Sequence, residues 1–326
     1  MPSGPLAWPF RLIAAAAWVG VAVMLFFIGA RAVSPDSNLL FIWWNAYTWW
    51  VYLPAYFTAI AAIVLRKHWL LPASAVVIVF HLLWILPDYR PAEDIPEEAR
   101  SAPTLRLMTT NVFFENADFD PIAAEILAAD ADVVFIQEYG PEIESALFER
   151  GAVEAYPYRY IAMENQYFGL ATYSKLPLID AEAPEAGGRP FIRATVDVSG
   201  VPVRLYNVHP TSPGLGEGFA ESWNDGWRDI TDAVAQETGA TVVAGDFNMN
   251  QHHRWYRQLK SDGMKSCHEE RGRGNATTWP QMRKLAQIRL DNIFHSSEVV
   301  CMSVGEGHGQ GTDHKPVIAE LAILTP

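Results

Sequence analysis

The sequence predicts an α/β sandwich with mixed or antiparallel sheets, preceded by three transmembrane helices. Strand-like and helix-like segments alternate after residue 104. Two of the strand-like segments, 191–198 and 201–208, are joined by a tight Ser-Gly turn, which is typical of a hairpin and argues against a purely parallel sheet. Before residue 88 the chain consists largely of long apolar runs, so its 326 residues divide into two regions with different solvents.

Three uncharged apolar runs predict the transmembrane helices, at residues 12–30, 39–65 and 69–87. The first run, as a helix, would be roughly 28 Å long, close to the hydrocarbon thickness of a bilayer. One such run is compatible with a buried helix of a soluble protein or with a cleaved signal peptide, but three in succession are not. We therefore expect a membrane domain at residues 1–87.

The loop charges predict the orientation of this domain. Arg11 precedes the first run, and Arg66 and Lys67 lie between the second and third runs. The positive-inside rule places both sites on the cytoplasmic side, and Arg31 is the basic residue that opposes this assignment. Because three is an odd number of spans, we expect an integral protein of the cell membrane with an extracytoplasmic soluble region.

Two polar residues fall inside the predicted spans. For Asn45 and His81, hydrogen bonding between helices is favoured over a functional site, which remains the alternative.

The region after the spans is acidic. Residues 88–103 contain prolines and no apolar period, which predicts an extended acidic linker. Residues 101–326 contain 18 Lys+Arg and 31 Asp+Glu, so the net charge of −13 resides there. A charge of this sign weakens non-specific binding to nucleic acid.

Several of the predicted strands end in polar residues, and two predicted helices lie between strands along the chain. The predicted strands are 105–111, 132–138, 169–174, 191–198, 201–208, 241–245, 288–295 and 315–322, and the predicted helices are 120–130 and 219–237. The polar residues at strand ends are Asn111, Glu138, His209, Asp246, Asn248, Asp291, Asp313 and His314. Because strand ends at one edge of an α/β sheet gather ligand groups, the set predicts a single site.

The stretch Gly-Asp-Phe-Asn is the most informative of these positions. Asp246 and Asn248 are two residues apart, and strand positions with this spacing share a face. The alternative is an ordinary turn, since Gly, Asp and Asn are common turn residues.

The motifs around these residues resemble the endonuclease/exonuclease/phosphatase superfamily. They are TTNV, DVVFIQE, YNVHP, GDFN, RLDNIF and TDHKPV, with FGLATYSKLP (168–177) and TTWP (277–280) similar to further landmarks. The resemblance, which includes pancreatic deoxyribonuclease, spans about residues 104–323. We interpret residues 104–326 as the catalytic domain of a membrane-anchored, bacterial-type member.

The resemblance implies a four-layer α-β-β-α sandwich of two mixed sheets and metal-assisted hydrolysis of phosphate esters. It implies Mg²⁺, with Mn²⁺ as an alternative, held by Glu138, Asn111 and Asp313. Asp246 would orient and deprotonate the attacking water, and Asn248 would hold that water or a phosphate oxygen.

The remaining roles implied by the resemblance fall to two histidines and a carboxylate. His314 would donate a hydrogen bond to the phosphoryl group or protonate the leaving oxygen, and Asp291 would fix its tautomer. His209 would be a second phosphate contact, so that Asn111, His209 and Asn248 bind substrate. The division of acid and base work between the two histidines stays open. Asn292 and Tyr173 depart from common family patterns, which puts the identity of the substrate in doubt more than activity.

One basic segment interrupts the acidic region. Residues 254–289 carry nine Lys+Arg against three acidic residues. The segment is either a solvated surface or a phosphate-recognising rim beside the cleft. Trp255 and Trp279 within it either stack on a base, line an apolar groove or pack in the interior.

The predicted function is a membrane-anchored metal-dependent phosphoesterase that acts near a lipid bilayer on a lipid-linked phosphate or pyrophosphate. An extracytoplasmic nuclease acting on nucleic acid is the main alternative, and an inactive phosphoester-binding or sensor module is a further one. The sequence identifies no protein partner.

The sequence leaves two alternatives for the cysteines and predicts no metal site at the remaining histidines. Cys267 and Cys301 are either a disulfide or two independent buried thiols. Solvated loop or strand-edge positions are expected, rather than metal binding, for His252, His253, His295 and His308.

Overall fold

The chain divides into two compact units, Met1–Pro87 and Asp88–Pro326. The computed structural model describes residues 7–163, 169–214, 216, 218–283 and 285–324. Phe168, from the 168–177 motif, and Lys284, from the basic segment, lie outside these residues.

The first unit is built from apolar helices. Two of them, Arg11–Val33 and Leu70–Tyr89, are long and apolar enough to cross a membrane. The middle run is not confirmed as a continuous span, because it is broken into pieces that are bent by 79°. The bend lies between Ala46 and Thr48. Pro54, which has no backbone N–H, begins the last short helix within the second piece. The helices are α1 (Ala7–Val33), α2 (Leu39–Ala46), α3 (Thr48–Val51), α4 (Pro54–Val64) and α5 (Leu70–Ile85), followed by a 3₁₀ turn at Leu86–Tyr89.

Within this unit, α1 and α5 run in the same direction. The guanidinium of Arg31, near the end of α1, lies 4.2 Å from the ring centroid of Trp84, near the end of α5. Earlier in each helix, Val21 and Val77 share one apolar cluster. Helix α4 runs antiparallel to α5, because the two are joined by the short connection 65–69.

The polar groups in these helices make hydrogen bonds inside the unit. Asn45 Nδ2 donates to Asp36 Oδ1 at 2.6 Å. His81 Nδ1 lies 3.2 Å from the hydroxyl of Tyr56, which joins α5 to α4. His81 thus takes the helix-to-helix bonding role that the sequence favoured, whereas Asn45 bonds to Asp36 in the connection between α1 and α2.

The second unit contains seven helices and fourteen strands among its described residues. The helices are α6 (Glu97–Ser101), α7 (Asp120–Ala128), α8 (Pro141–Glu149), α9 (Ala152–Ala155), α10 (Phe219–Val234), α11 (Arg254–Ser261) and α12 (Cys267–Glu270). The strands are β1 (Thr104–Asn111), β2 (Val133–Gln137), β3 (Tyr158–Ala162), β4 (Leu170–Ser174), β5 (Ile179–Glu182), β6 (Glu185–Ala186), β7 (Arg189–Pro190), β8 (Ile192–Val198), β9 (Val201–Val208), β10 (Thr241–Asp246), β11 (Lys265–Ser266), β12 (Asp291–His295), β13 (Val299–Glu306) and β14 (Val317–Ile323).

Twelve of these strands form two mixed sheets, which confirms the predicted α/β class. One sheet has the order β13-β14-β1-β2-β4-β3 and the other β11-β12-β10-β9-β8-β5. Each contains one parallel pair, β1 with β2 and β9 with β10. The predicted hairpin is also present, since β8 and β9 pair antiparallel around Ser199 and Gly200, both at positive φ.

The two sheets share one apolar core. Leu107 and Phe135 of the first sheet pack in the same cluster as Leu205 and Val242 of the second. Helices cover the outer faces: Ile122 of α7 packs on the first sheet. On the second sheet, α10 contributes Trp227, whose ring lies 4.9 Å from that of Phe247.

The segment predicted as an extended linker, 88–103, is part of the second unit, and its residues Glu97–Ser101 form α6. Asp88 is buried and accepts a hydrogen bond from Gln251 Nε2 at 3.0 Å. Glu93 N–H donates to Glu270 O at 2.8 Å. Gly274 permits this close approach, because a Cβ there would lie 2.7 Å from Asp88 O. Docking replaces extension because these backbone and carboxylate groups find partners on the folded unit.

The structure corrects the prediction for three of the four remaining histidines and decides between the alternatives for the cysteines. His252, His253 and His295 are buried rather than solvated, because each packs into a hydrogen-bonded interior, as where His295 Nε2 lies 2.7 Å from Glu270. His308 is exposed, as expected. Cys267 and Cys301 are both buried free thiols.

Candidate active site

The sheet topology brings the predicted polar residues to one edge of the sandwich. Asn111 ends β1, and Glu138 follows its parallel neighbour β2. Asp246 ends β10 and pairs directly with Asp291, the first residue of the antiparallel strand β12. His314 precedes β14, which runs antiparallel to β1. Antiparallel partners therefore present their first residues where the parallel strands present their last.

Asn111 connects two carboxylates across the two sheets. Its Nδ2 donates to Glu138 Oε1 at 2.9 Å and to Asp246 Oδ2 at 3.1 Å. Its Oδ1 accepts from Phe113 N–H at 2.9 Å, which fixes which end of the amide faces the carboxylates. The second oxygen of Glu138 accepts from Phe114 N–H at 2.8 Å. Asn111 is thus held as a donor bridge.

Asp246 and Asn248 lie together, but through a bend rather than through strand alternation. The strand ends at Asp246, and Asn248 has φ +47°. Asn248 N–H donates to Asp246 Oδ1 at 2.9 Å, and its Nδ2 donates to Pro210 O at 3.0 Å. Asp246 and Asn248 are therefore part of a turn and also lie together in the candidate site. Trp223 also anchors this bend, since its indole N–H donates to Asn248 O at 3.0 Å.

Gly245 is required immediately before this bend. Its φ is +152°, and a Cβ there would lie 1.9 Å from Val208 O of the neighbouring strand. Only glycine fits so close an approach of two backbones.

His314 and Asp291 form a buried imidazole–carboxylate pair. His314 Nδ1 lies 2.8 Å from Asp291 Oδ2, and His314 Nε2 lies 3.6 Å from Asp246 Oδ2. Burial lowers the pKa of His314, but the charges of Asp291, Asp246 and Asp313 outweigh this and raise that pKa to about 10. His314 therefore carries both ring protons at neutral pH.

His209, which directly follows β9, faces the carboxylate of Asp246. Its Nε2 lies 3.5 Å from Asp246 Oδ2. Its Nδ1 is buried and has no hydrogen-bond partner among the described residues. An unpartnered buried ring nitrogen beside a carboxylate is a position that a ligand can satisfy.

Asp313 lies at the rim and is held by a tryptophan. Trp279 Nε1 donates to Asp313 Oδ2 at 2.7 Å. The side chain of Asp313 is 22% exposed, in contrast to the fully buried Asp291. The loop is tied to β1, because Thr312 Oγ1 donates to Asn111 O at 2.8 Å.

The comparison with known families finds a match for the chain that carries this arrangement. The model of the Endonuclease/Exonuclease/phosphatase family matches residues 108–314, nearly two thirds of the chain. The chain belongs to this family. No curated protein sequence matches it significantly.

Solved structures of the endonuclease/exonuclease/phosphatase fold resemble the second unit at low identity. An endonuclease/exonuclease/phosphatase from Beutenbergia cavernae DSM 12333 is 19% identical, with a TM-score of 0.53 over 68% of this chain and 72% of the other. D. rerio TDP2 complexed with a single-strand DNA product is 18% identical, with a TM-score of 0.55 over 67% and 98%. The human Nocturnin catalytic domain with bound sulfate is 16% identical, with a TM-score of 0.54 over 68% and 95%. At these identities the likeness concerns the fold.

Members of the endonuclease/exonuclease/phosphatase family use a divalent cation, and two groups of side chains here have suitable atoms. Among the described residues, one trio has ligand atoms all within 4.8 Å of one another: Asp246, Asp291 and His314. Within this trio, His314 is already engaged with Asp291, since its Nδ1 lies 2.8 Å from Asp291 Oδ2. Glu138 and Asp313 instead offer hard carboxylate oxygens with partial solvent access, which fits Mg²⁺ better.

Sequence reasoning missed several residues that support the site. Thr278 Oγ1 accepts from the N–H groups of Leu290 and Asp291, at 3.0 and 3.1 Å, and so fixes the start of β12. Gln137 Nε2 donates to Asn207 Oδ1 at 2.8 Å between the sheets. The signal for Thr278 was its place in TTWP, whereas Asn207 gave none beyond its position two residues before His209.

The two departures from common family patterns have local explanations. Asn292 Oδ1 accepts from the buried Arg289 at 3.0 Å. The hydroxyl of Tyr173 lies 2.7 Å from that of Tyr139 in the interior.

The basic segment 254–289 is mostly committed to internal contacts. Lys260 pairs with Glu269, Lys265 with Glu270, and Arg273 with Glu306. Arg289 is buried and donates to Gly274 O at 2.7 Å. Trp255 donates to Asn224, so neither stacking nor groove lining is needed to explain it. The phosphate-recognising rim stays a prediction for the remaining cations of the segment.

Proposed function

We propose that the protein is a membrane-anchored phosphoesterase that requires a divalent cation. The observation that carries the proposal is the environment of Asp246. Asn111, His209 and His314 all approach its Oδ2, at 3.1, 3.5 and 3.6 Å. A carboxylate on which polar side chains converge from three separate strand ends is placed to orient a water molecule and accept its proton.

Each neighbouring residue then has a definite task. Asn248, fixed by Pro210 O and Trp223, would hold the water or a non-bridging phosphate oxygen in line. His314 would donate its Nε2 proton to the phosphoryl group or to the leaving oxygen, with Asp291 holding the opposite ring nitrogen. His209 would donate a second hydrogen bond to the phosphate.

Glu138 and Asp313 would hold the cation, with Asn111 keeping Glu138 in place. The bound cation would polarise a phosphoryl oxygen and offset the charge that develops there. Mg²⁺ fits these oxygen donors, and Mn²⁺ is the alternative.

We infer that all three apolar runs cross the membrane and that the catalytic unit is extracytoplasmic. The parallel directions of α1 and α5, which the contact of Arg31 with Trp84 supports, require one crossing between them if both helices span. The broken run α2–α4 would supply it. The positive charge at Arg66 and Lys67 then favours a cytoplasmic α4–α5 loop.

A lipid-linked phosphate or pyrophosphate is the proposed substrate class. The membrane unit would hold the site close to such substrates, and the acidic charge of residues 101–326 disfavours polyanions. Nucleic acid is the second candidate, because the similar TDP2 structure carries a single-strand DNA product. The donors retained around Asp246 speak against an inactive binding or sensor module.

The test is turnover by the detergent-solubilised chain, with Mg²⁺ or with a chelator, of bis-p-nitrophenyl phosphate, plasmid DNA, lipid phosphates and a polyprenyl pyrophosphate. The matched variant is Asp246→Asn, which keeps the size of the side chain and removes its charge. We expect chelation to abolish turnover and the variant to lower kcat by roughly 10²–10⁴-fold. Turnover that persisted unchanged in the variant would refute the assignment, and the preferred substrate separates a lipid enzyme from a nuclease.

A further inference from the structure

The two most exposed large apolar side chains in the described part of the catalytic unit lie three residues apart. Met282 is 80% exposed and Leu285 is 72% exposed, while Phe148, far along the chain on α8, follows at 68%. Most large apolar side chains of this unit are buried. Two exposed ones at the same loop tip therefore indicate a surface that binds another molecule or a membrane.

The base of this loop is attached to the candidate active site. Gln281 N–H donates to Asp313 O at 2.9 Å, and the Gln281 side chain donates to the carbonyls of Gly309 and Thr312. On the other side, Gln287 Nε2 donates to Pro280 O at 3.1 Å. The loop is therefore closed at its base by contacts with the segment that carries Asp313.

The charge at the tip differs from three exposed cations elsewhere in the basic segment. Arg283 is exposed and has no ion pair among the described residues. Lys260, Lys265 and Arg273 are all paired with glutamates. An unpaired cation between two exposed apolar side chains matches the chemistry of an anionic lipid surface, where apolar groups enter the acyl boundary and cations remain at the head groups.

We propose that Met282, Arg283 and Leu285 form a membrane-contact surface that seats the active site on the bilayer in which the chain is anchored. This proposal rests on the proposed function and deepens it, because it states how a lipid-linked phosphoester reaches the site. The tip is at most four residues from the base at Gln281, or roughly 14 Å along an extended chain. A head-group phosphate standing at the surface would thus lie within one loop length of Asp313.

Direct contact is tested by labelling the tip. Leu285→Cys in the full chain is coupled to an environment-sensitive fluorophore, and Phe148→Cys is the matched control, since the two native cysteines are fully buried. Both proteins are reconstituted into phosphatidylcholine vesicles with and without phosphatidylglycerol, and with lipids that carry a quencher on the acyl chain. We expect quenching at position 285 and none at 148, with more at 285 when phosphatidylglycerol is present.

A second measurement links the contact to turnover. The double variant Met282→Ser/Leu285→Ser should hydrolyse a vesicle-borne phosphoester roughly tenfold more slowly, equivalent to losing about 1.4 kcal/mol of interaction. Its turnover of soluble bis-p-nitrophenyl phosphate should be unchanged, and Phe148→Ser should change neither.

Three outcomes would overturn the surface. Equal quenching at 285 and 148 excludes membrane contact. A spectral change at 285 that depends on protein density, without quenching by lipid, points to a second copy of the chain. Equal losses on vesicle-borne and soluble esters place the side chains in the phosphoester site. If wild type and Asp246→Asn are both inactive on every ester, the proposed function fails, while the quenching result still decides the contact.

Discussion

At the scale of single residues, His268 shows how burial sets a chemical property away from the site. It is completely buried, and its Nε2 lies 3.1 Å from Glu306 Oε1. Burial is the main reason that the pKa of His268 is lowered from 6.5 to about 4, and the nearby Arg289 adds to this. Below its ordinary pKa, the unfolded chain therefore binds a proton at His268 that the folded chain does not.

This predicts acid sensitivity between pH 6.5 and pH 4. Stability falls as the pH falls through this window, by roughly 1.4 kcal/mol per pH unit and about 3 kcal/mol in all. Thermal unfolding of the solubilised chain at pH 7 and pH 5 measures it, and His268→Gln should flatten the dependence while keeping a donor for Glu306. The carboxyl of Glu306, with a pKa of about 2, contributes only below its ordinary value of 4.5. An unchanged slope in the variant would contradict the assignment.

At position 245 we expect no residue other than glycine to be tolerated. Adding one methyl group places a Cβ against Val208 O, in a backbone conformation that other residues rarely adopt. Strain and overpacking together should cost about 2–6 kcal/mol in Gly245→Ala. Gly305→Ala is the control, since nothing lies within 4 Å of its added Cβ. Equal yields of folded protein and equal melting temperatures for the two variants would count against this account.

At the scale of elements, agreement between sequence and structure follows apolar pattern and turn chemistry. Strand β1 and the β8–β9 hairpin match their predicted ranges closely, because buried runs and a Ser-Gly turn define them. Strand β13 (Val299–Glu306) was missed, since its second half alternates between partly exposed small and polar residues. The angle of 79° between Ala46 and Thr48 was not predictable from the sequence, because the run 39–65 is uncharged and interrupted only by Asn45 and Pro54.

The site was predictable to a similar degree. Residues that end strands, such as Asn111 and Asp246, stood out because polar groups interrupt apolar runs there. The bridging role of Asn111 was not predictable, because it depends on the hydrogen bond from Phe113 N–H to the amide oxygen of Asn111. The burial of His252 also escaped prediction, as it depends on Asp88, more than 150 residues away along the chain.

The docking of residues 88–93 gives a prediction about this element. In Gly274→Ala the new Cβ would meet Asp88 O, so the segment should be displaced at a cost of about 1–3 kcal/mol. Hydrogen exchange at the Glu93 amide, bonded to Glu270 O, should become faster. Protection of that amide equal to that in Gly305→Ala would show that the segment is not held in this way.

At the scale of the whole molecule, the proposed topology makes opposite predictions for two positions. His68, in the α4–α5 connection, would be cytoplasmic, and Glu154, exposed on α9, would be extracytoplasmic. A membrane-impermeant thiol reagent should label Glu154→Cys in intact spheroplasts, and should label His68→Cys only after permeabilisation. Labelling of both or of neither before permeabilisation would mean that α5, the helix between these two positions, does not cross.

The break in the middle apolar run also bears on how the chain enters a membrane during synthesis. Helix α4 has eleven residues, roughly 16 Å, too short to bridge a bilayer of about 30 Å as an independent stop. The hydroxyl groups of Tyr56 and Thr58 contact His81 and Ser74 on α5, and Thr58 Oγ1 also donates to Ala55 O within α4. Insertion of α4 should therefore wait until α5 has left the ribosome, so that the two enter as a hairpin, and a nascent chain stalled before residue 70 should hold only α1 stably in the lipid.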